Sequence, residues 1–155
     1  MCTVQEYMEA RRDNIGTLPS FVFSEICMGL NIPHEVMQHP AIASLERDAT
    51  DMIIIGNVST VLRIDVRQLI FLQDVCSYKK EVLSDDAAYN LVTVAIANTG
   101  MDLDGAMQWI SDRHDQLAYN FLKTMDDVIH HKNGVPTWGE SIDKQVATYI
   151  DCLGE

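Results

Sequence analysis

The chain has 155 residues, 47% of them hydrophobic and 22% charged, and a net charge of −12. That length suffices for one domain with a buried core. The acidic balance argues against nucleic acid or an anionic membrane surface as a partner, although a bound cation can reverse the local field for a phosphorylated ligand. No apolar run approaches the ~18 residues of a membrane span. The stretch Met1-Cys2-Thr3-Val4-Gln5-Glu6 lacks the basic and apolar regions of a signal peptide. Cys2, Cys27, Cys76 and Cys152 are far apart and form no CxxC pair. They read as small core residues of a reducing compartment, so the expected location is cytoplasmic.

Taken in order, Thr3 and Glu6 form a capping-box pattern for a helix from about Val4, which should stop near Ile15-Gly16. Phe21 to Leu30 is apolar enough for a buried helix that ends at Asn31-Ile32-Pro33. His34 to Gln38 fits one short turn. From Ala41, the residues Ile42, Leu45, Ala49, Met52, Ile53 and Ile55 follow helical spacing as far as Asn57. Further helices are expected over Asp86 to Asn98, Leu103 to His131 and Ser141 to Leu153. In the long one, Ala106, Ile110, Leu117, Phe121, Leu122, Met125 and Ile129 make the inner face. Asn133-Gly134-Val135-Pro136 is a turn. The expected class is all-α.

One segment disagrees with its neighbours. Between Val58 and Gln73, Leu62, Ile64 and Val66 alternate with Arg63, Asp65 and Arg67. Period-two alternation is a strand signal, and a lone strand has no sheet to join in a helical chain.

Just beyond it lies the constellation that can carry chemistry. Ser77 and Glu81 are four apart, so on a helix they share a face, with Lys80 beside them. A hydroxyl and a carboxylate are hard oxygen ligands for magnesium, and lysine complements a metal-bound phosphate. Such a pair also occurs on ordinary solvated helices. Its context decides. Joining Asn57 directly to Asp74 gives Asn-Asp-Val-Cys-Ser-Tyr-Lys-Lys-Glu, a full NDxxSxxxE motif with oxygen ligands at i, i+4 and i+8.

That motif is a signature of class I terpene cyclases, and the chain resembles the fungal, basidiomycete-type sesquiterpene synthases over nearly its whole length. The supporting stretches are Glu6-Tyr7-Met8-Glu9-Ala10-Arg11-Arg12-Asp13, Ile32-Pro33-His34-Glu35-Val36, His39-Pro40, Asn90-Leu91-Val92-Thr93-Val94 and Pro136-Thr137-Trp138-Gly139. The resemblance implies a partial class I terpenoid synthase α-helical barrel spanning 1–155. It implies magnesium held by Asn57, Ser77 and Glu81, and farnesyl diphosphate as the substrate, ionised and cyclised with release of diphosphate. It also implies a diphosphate-sensing arginine at a helix break. Arg11, 46 positions before Asn57, fits that place, with Arg12 the close alternative. Asn14 and Ile15 would take the linker and effector positions, and Lys80 would meet the diphosphate with Arg11. The family's aspartate-rich motif and later Arg-Tyr pair have no counterpart here, which implies an inactive fragment with an uncovered apolar face. The competing class is a non-enzymatic helical interaction protein that binds a partner through that face.

Other candidates have plainer readings. His130-His131 diverge on a helix and favour its C-terminus. Asp85-Asp86 fits a helix N-terminus, and Asp126-Asp127 a solvated face. Trp109, Trp138 and Tyr78 read as packing residues.

Two accounts fit Val58 to Gln73, a tolerated loop insertion or translation through an unspliced intron. If helical, the insertion would move Asn57 by ~24 Å and turn it ~160° from Ser77. Gln73 then stands four before Ser77, but its extra methylene displaces the amide oxygen by about a bond length, where metal sites tolerate ~0.5 Å. Excision restores the motif to the residue, which favours the intron. Sequencing the transcript should reveal a spliced form lacking the 48 bases that encode these 16 residues. Genomic DNA without GT and AG at the borders would rule the intron out.

Overall fold

Thr3 stands in extended backbone, and its hydroxyl accepts the Glu6 N–H at 3.1 Å while the Glu6 carboxylate accepts the Thr3 N–H at 2.8 Å. The capping box read from the sequence is therefore closed, and the bonds from Thr3 hold the Glu6 carboxyl below its usual range. The helix it starts, α1, runs Val4–Asn14. A computed structural model describes residues 2–59 and 90–154, and among them every regular element is a helix. After α1 come α2 (Thr17–Cys27), α3 (His34–Met37), α4 (Pro40–Ser59), α5 (Leu91–Thr99), α6 (Leu103–Ile129) and α7 (Glu140–Gly154). None of the described helices is long and apolar enough to cross a membrane.

α1 ends because Gly16 takes φ +80, a left-handed conformation that costs glycine nothing and other residues about 1–2 kcal/mol. Thr17 then opens α2, with Pro19 in the first turn, where a missing N–H leaves no helical bond unmade. Gly29 closes α2, as the Leu30 N–H reaches back to the Glu25 carbonyl at 3.0 Å.

By contact, the chain divides into two compact units. One comprises Met1–Ile15 and Asp51–Gln116, the other Gly16–Thr50 and Leu117–Glu155. In the first, α1 packs on α5, and the Asn98 side-chain amide donates to the Cys2 carbonyl at 3.0 Å. Tyr7, Met8, Ile54, Ile55, Leu91, Val94, Ala106 and Ile110 make its core. In the second, α2 packs on α7. Ile42, Leu45, Val146 and Ile150 are buried, and the Tyr149 phenol donates to Glu46 at 2.5 Å. Burial and then that bond push the phenol far above its usual range.

The sequence expectations hold for class and element order and fail in several details. Asn90 is extended and caps α5 by accepting the Val92 N–H at 2.9 Å, so that helix starts at Leu91 rather than Asp86. Asp85 and Asp86 lie outside the described residues. α2, expected to be buried, buries Phe21 but leaves Leu18, Val22, Phe23 and Ile26 exposed, the last two at 67% and 69%. In α4 the buried register falls on Ile54, 1% exposed, instead of Ile53, 41% exposed. Leu122 and Ile129 of α6 face outward, and Val128 is the buried residue of its last turns. Cys2 and Cys27 are exposed thiols, not core residues. The strand signal lies outside the described residues, except that 58–59 close α4.

The loop before α7 is organised by Asp143. Its carboxylate accepts the Thr137 hydroxyl at 2.7 Å and the Trp138 N–H at 3.0 Å, with the His131 ring 3.6 Å away. Burial raises this carboxyl, but the two hydrogen bonds and the His131 ring outweigh it and hold it below its usual range. Trp138 stands edge-on to His39 at 5.3 Å, which bears out its reading as a packing residue.

Two measurements check these placements. Ile54→Ala should cost about 2–5 kcal/mol in denaturant unfolding, and Ile53→Ala less than about 1 kcal/mol. The depressed Asp143 carboxyl contributes stability that is complete above its unfolded value near ~3.9 and lost as pH falls through the lower folded value. Asp143→Asn should therefore lower the melting temperature at neutral pH and reduce its decline below about pH 4.

Candidate functional site

The last turn of α1 carries both arginines singled out in the sequence. Arg12 donates from Nε to Asp51 Oδ1 at 2.6 Å and from a terminal nitrogen to Asp51 Oδ2 at 2.8 Å. This is a planar, two-pronged pair between residues 39 apart, in which the Asp51 side chain is 5% exposed and that of Arg12 33%. The bond to Asp51 also raises the Arg12 guanidinium further above its usual range. The carboxylate thus occupies one edge of the Arg12 guanidinium, the edge formed by Nε and one terminal nitrogen.

Arg11 is half-buried and lies four residues before the break, its carbonyl accepting the Ile15 N–H at 2.8 Å. Helix ending and arginine therefore coincide, as the sequence led one to expect. The Asn14 side chain donates back to the Ala10 carbonyl at 2.9 Å, within its own helix.

Asn57 belongs to the last turn of α4, six residues past Asp51, which is ~9 Å further along the helix axis. Ser77, Lys80 and Glu81 lie outside the described residues, as do Tyr78 and Cys76. Among the described residues no three histidine, cysteine, aspartate or glutamate side chains come close enough to hold a metal ion. The fit of a metal is thus tested by donor chemistry and spacing. An amide, a hydroxyl and a carboxylate form a hard-oxygen set appropriate to a magnesium-like cation. The 20 positions between Asn57 and Ser77 do not give the four-residue interval that would place both on one helical face.

Asp51 was missed in the sequence, although a signal was present. It stands three before Ile54 and four before Ile55, so it shares their buried stripe, and a carboxylate there requires a cationic partner. His114 was missed too. Its half-buried ring approaches Gly56, where an added Cβ would lie 3.7 Å from Nε2.

The rival metal candidates resolve into local structure. His130 Nδ1 lies 3.1 Å from the Asp126 carbonyl, and His131 Nδ1 the same distance from the Pro136 carbonyl. Lys132 pairs with Asp126 at 2.7 Å, and the Asn133 amide donates to Asp127 at 2.8 Å. These contacts close the end of α6.

Known proteins resemble this chain. Residues 1–118 match the family described as terpene synthase family 2, C-terminal metal binding. A Delta(6)-protoilludene synthase of Armillaria gallica is 38% identical over 151 residues, covering 97% of this chain and 36% of its own length. A Delta(6)-protoilludene synthase of Stereum hirsutum is 35% identical over 152 residues, covering 97% and 34%. Sesquiterpene synthase 9 of Postia placenta is 34% identical, covering 98% and 37%. The chain thus spans about a third of the length of these relatives. A solved cucumene synthase superposes with a TM-score of 0.69 at 20% identity, covering 99% of this chain and 44% of the other, which establishes a shared helical fold.

Proposed function

Because the chain belongs to the terpene synthase family, in the group named for its C-terminal metal-binding region, we propose that it carries the serine-motif half of a site that binds a prenyl diphosphate, farnesyl diphosphate in particular. The observation that supports this reading is the place of Arg11, in the last turn of α1 just before the break at Gly16. A guanidinium at that place offers planar donors to a diphosphate oxygen pair. Lys80 adds a second, point-like cation to the same anion. Asn57, Ser77 and Glu81 are the residues that would hold magnesium. When bound, magnesium supplies Lewis-acid neutralisation of the departing diphosphate. The task of Arg11 and Lys80 is to keep that diphosphate from recombining with the allylic carbon it leaves.

The same reading predicts an impaired site. The donor types are right, but Asn57 is separated from Ser77 by the inserted 58–73, and Gln73 occupies the position four before Ser77. A glutamine amide reaches too far for an asparagine's place, and metal sites lose affinity steeply when a ligand is misplaced by more than ~0.5 Å.

Calorimetric titration with magnesium and inorganic pyrophosphate tests this. Removal of 58–73, or the single change Gln73→Asn that rebuilds the motif in place, should tighten pyrophosphate binding at least ~10-fold over the unaltered chain. Arg11→Ala should weaken it in either background. Equal affinity in all forms, with circular dichroism confirming the helices, would refute the proposal.

A further inference from the structure

We propose that the Arg12–Asp51 pair is a positioning element for Arg11, setting the rotation of α1 so that the adjacent guanidinium meets the diphosphate; this rests on the function proposed above. α1 is tied at both ends within its unit. At the start, the Asn98 amide holds the Cys2 carbonyl at 3.0 Å. At the end, the two-pronged bond from Arg12 fixes the last turn to α4 at Asp51, six residues before Asn57. α1 packs on α5 and buries Tyr7 and Met8, and a single hydrogen bond adds little restraint on the roll that remains. A planar fork onto a buried carboxylate removes most of that freedom. Arg11 stands ~100° round the axis from Arg12, so any roll of α1 is transmitted directly to it.

A buried ion pair contributes little net stability, because desolvation offsets most of the attraction, and apolar replacements of similar volume are often as stable. Geometry is therefore the better account of why a carboxylate occupies the buried stripe of α4. The pair also links the two polar groups on which the site depends. One partner adjoins Arg11, and the other lies on the helix that carries Asn57, so α1 and the metal-bearing end of α4 are held in one register. Binding sites of this kind tolerate about 0.5 Å and 10–20° of error before function falls.

The test compares the chain with the double variant Arg12→Met/Asp51→Leu, which keeps the volume and removes the fork. The single variant Arg12→Lys keeps the charge but binds as a point donor. Each is made both in the unaltered sequence and with Gln73→Asn. Binding of inorganic pyrophosphate with excess magnesium is read by calorimetry, and thermal unfolding by circular dichroism. The double variant should unfold within a few degrees of its parent yet bind pyrophosphate ~10-fold or more weakly, with Arg12→Lys intermediate. Tyr149→Phe, which destabilises the other unit by removing the bond to Glu46, should leave binding unchanged. Undiminished binding by the double variant would overturn the positioning role while leaving the function of Arg11 intact. A loss of binding in Tyr149→Phe that matches its loss of stability would overturn it as well. If neither parent binds pyrophosphate, the underlying function fails and this inference with it.

Discussion

A glycine in the left-handed conformation at position 16 stops one helix and starts another within two residues. The boundary between the two units falls at this residue. The break has two consequences. It opens α2 at Thr17, which is buried in the second unit and accepts the Thr50 hydroxyl at 3.0 Å. It also ends α1 one turn after Arg11, so that arginine belongs to a helix terminus and not to a helix middle. The last carbonyls of a helix leave its C-terminus partly negative, and basic residues are favoured there. Arg11 and Arg12 are placed accordingly.

Two adjacent arginines on one terminus present an ambiguity that sequence cannot resolve, because both match the same motif position within one residue. Burial accounts for Arg12. Asp51 lies on a stripe with Ile54 and Ile55 and needs a cation, and Arg12 supplies one through one edge of its guanidinium. Arg12 is thereby tied to the helix that carries Asp51, a pairing across 39 residues that no local rule announces.

What was legible in the chain followed from local rules. Thr3 and Glu6 form a reciprocal cap whose geometry depends on four residues alone, and it was read correctly. Gly16 likewise marked the break. The errors arose where burial depends on distant partners. Ile53 and Ile54 are both apolar and adjacent, so a 100° error in the assigned face interchanges them, and only packing selects Ile54. α2 is apolar all round and reads as buried, yet an apolar composition does not create the surface that would cover it. Asn90 shows the opposite case. Its capping role is local, but the acidic pair before it drew the expected helix start five residues too early.

The interrupted motif is the remaining physical problem, and its logic is one of periodicity. A ligand set at i, i+4 and i+8 works because each step of four residues advances ~6 Å along a helix and only slightly exceeds one turn. Sixteen added residues, if helical, would amount to about four and a half turns and would restore neither the distance nor the facing direction. The residue that replaces the lost asparagine by register is Gln73, with the same functional group on a longer arm. Chemistry alone would accept it, since an amide oxygen is a hard donor in either side chain. Geometry is what discriminates between them. The motif therefore identifies ancestry through its residue types, while its ability to bind depends on a spacing of four that this chain no longer keeps from Asn57.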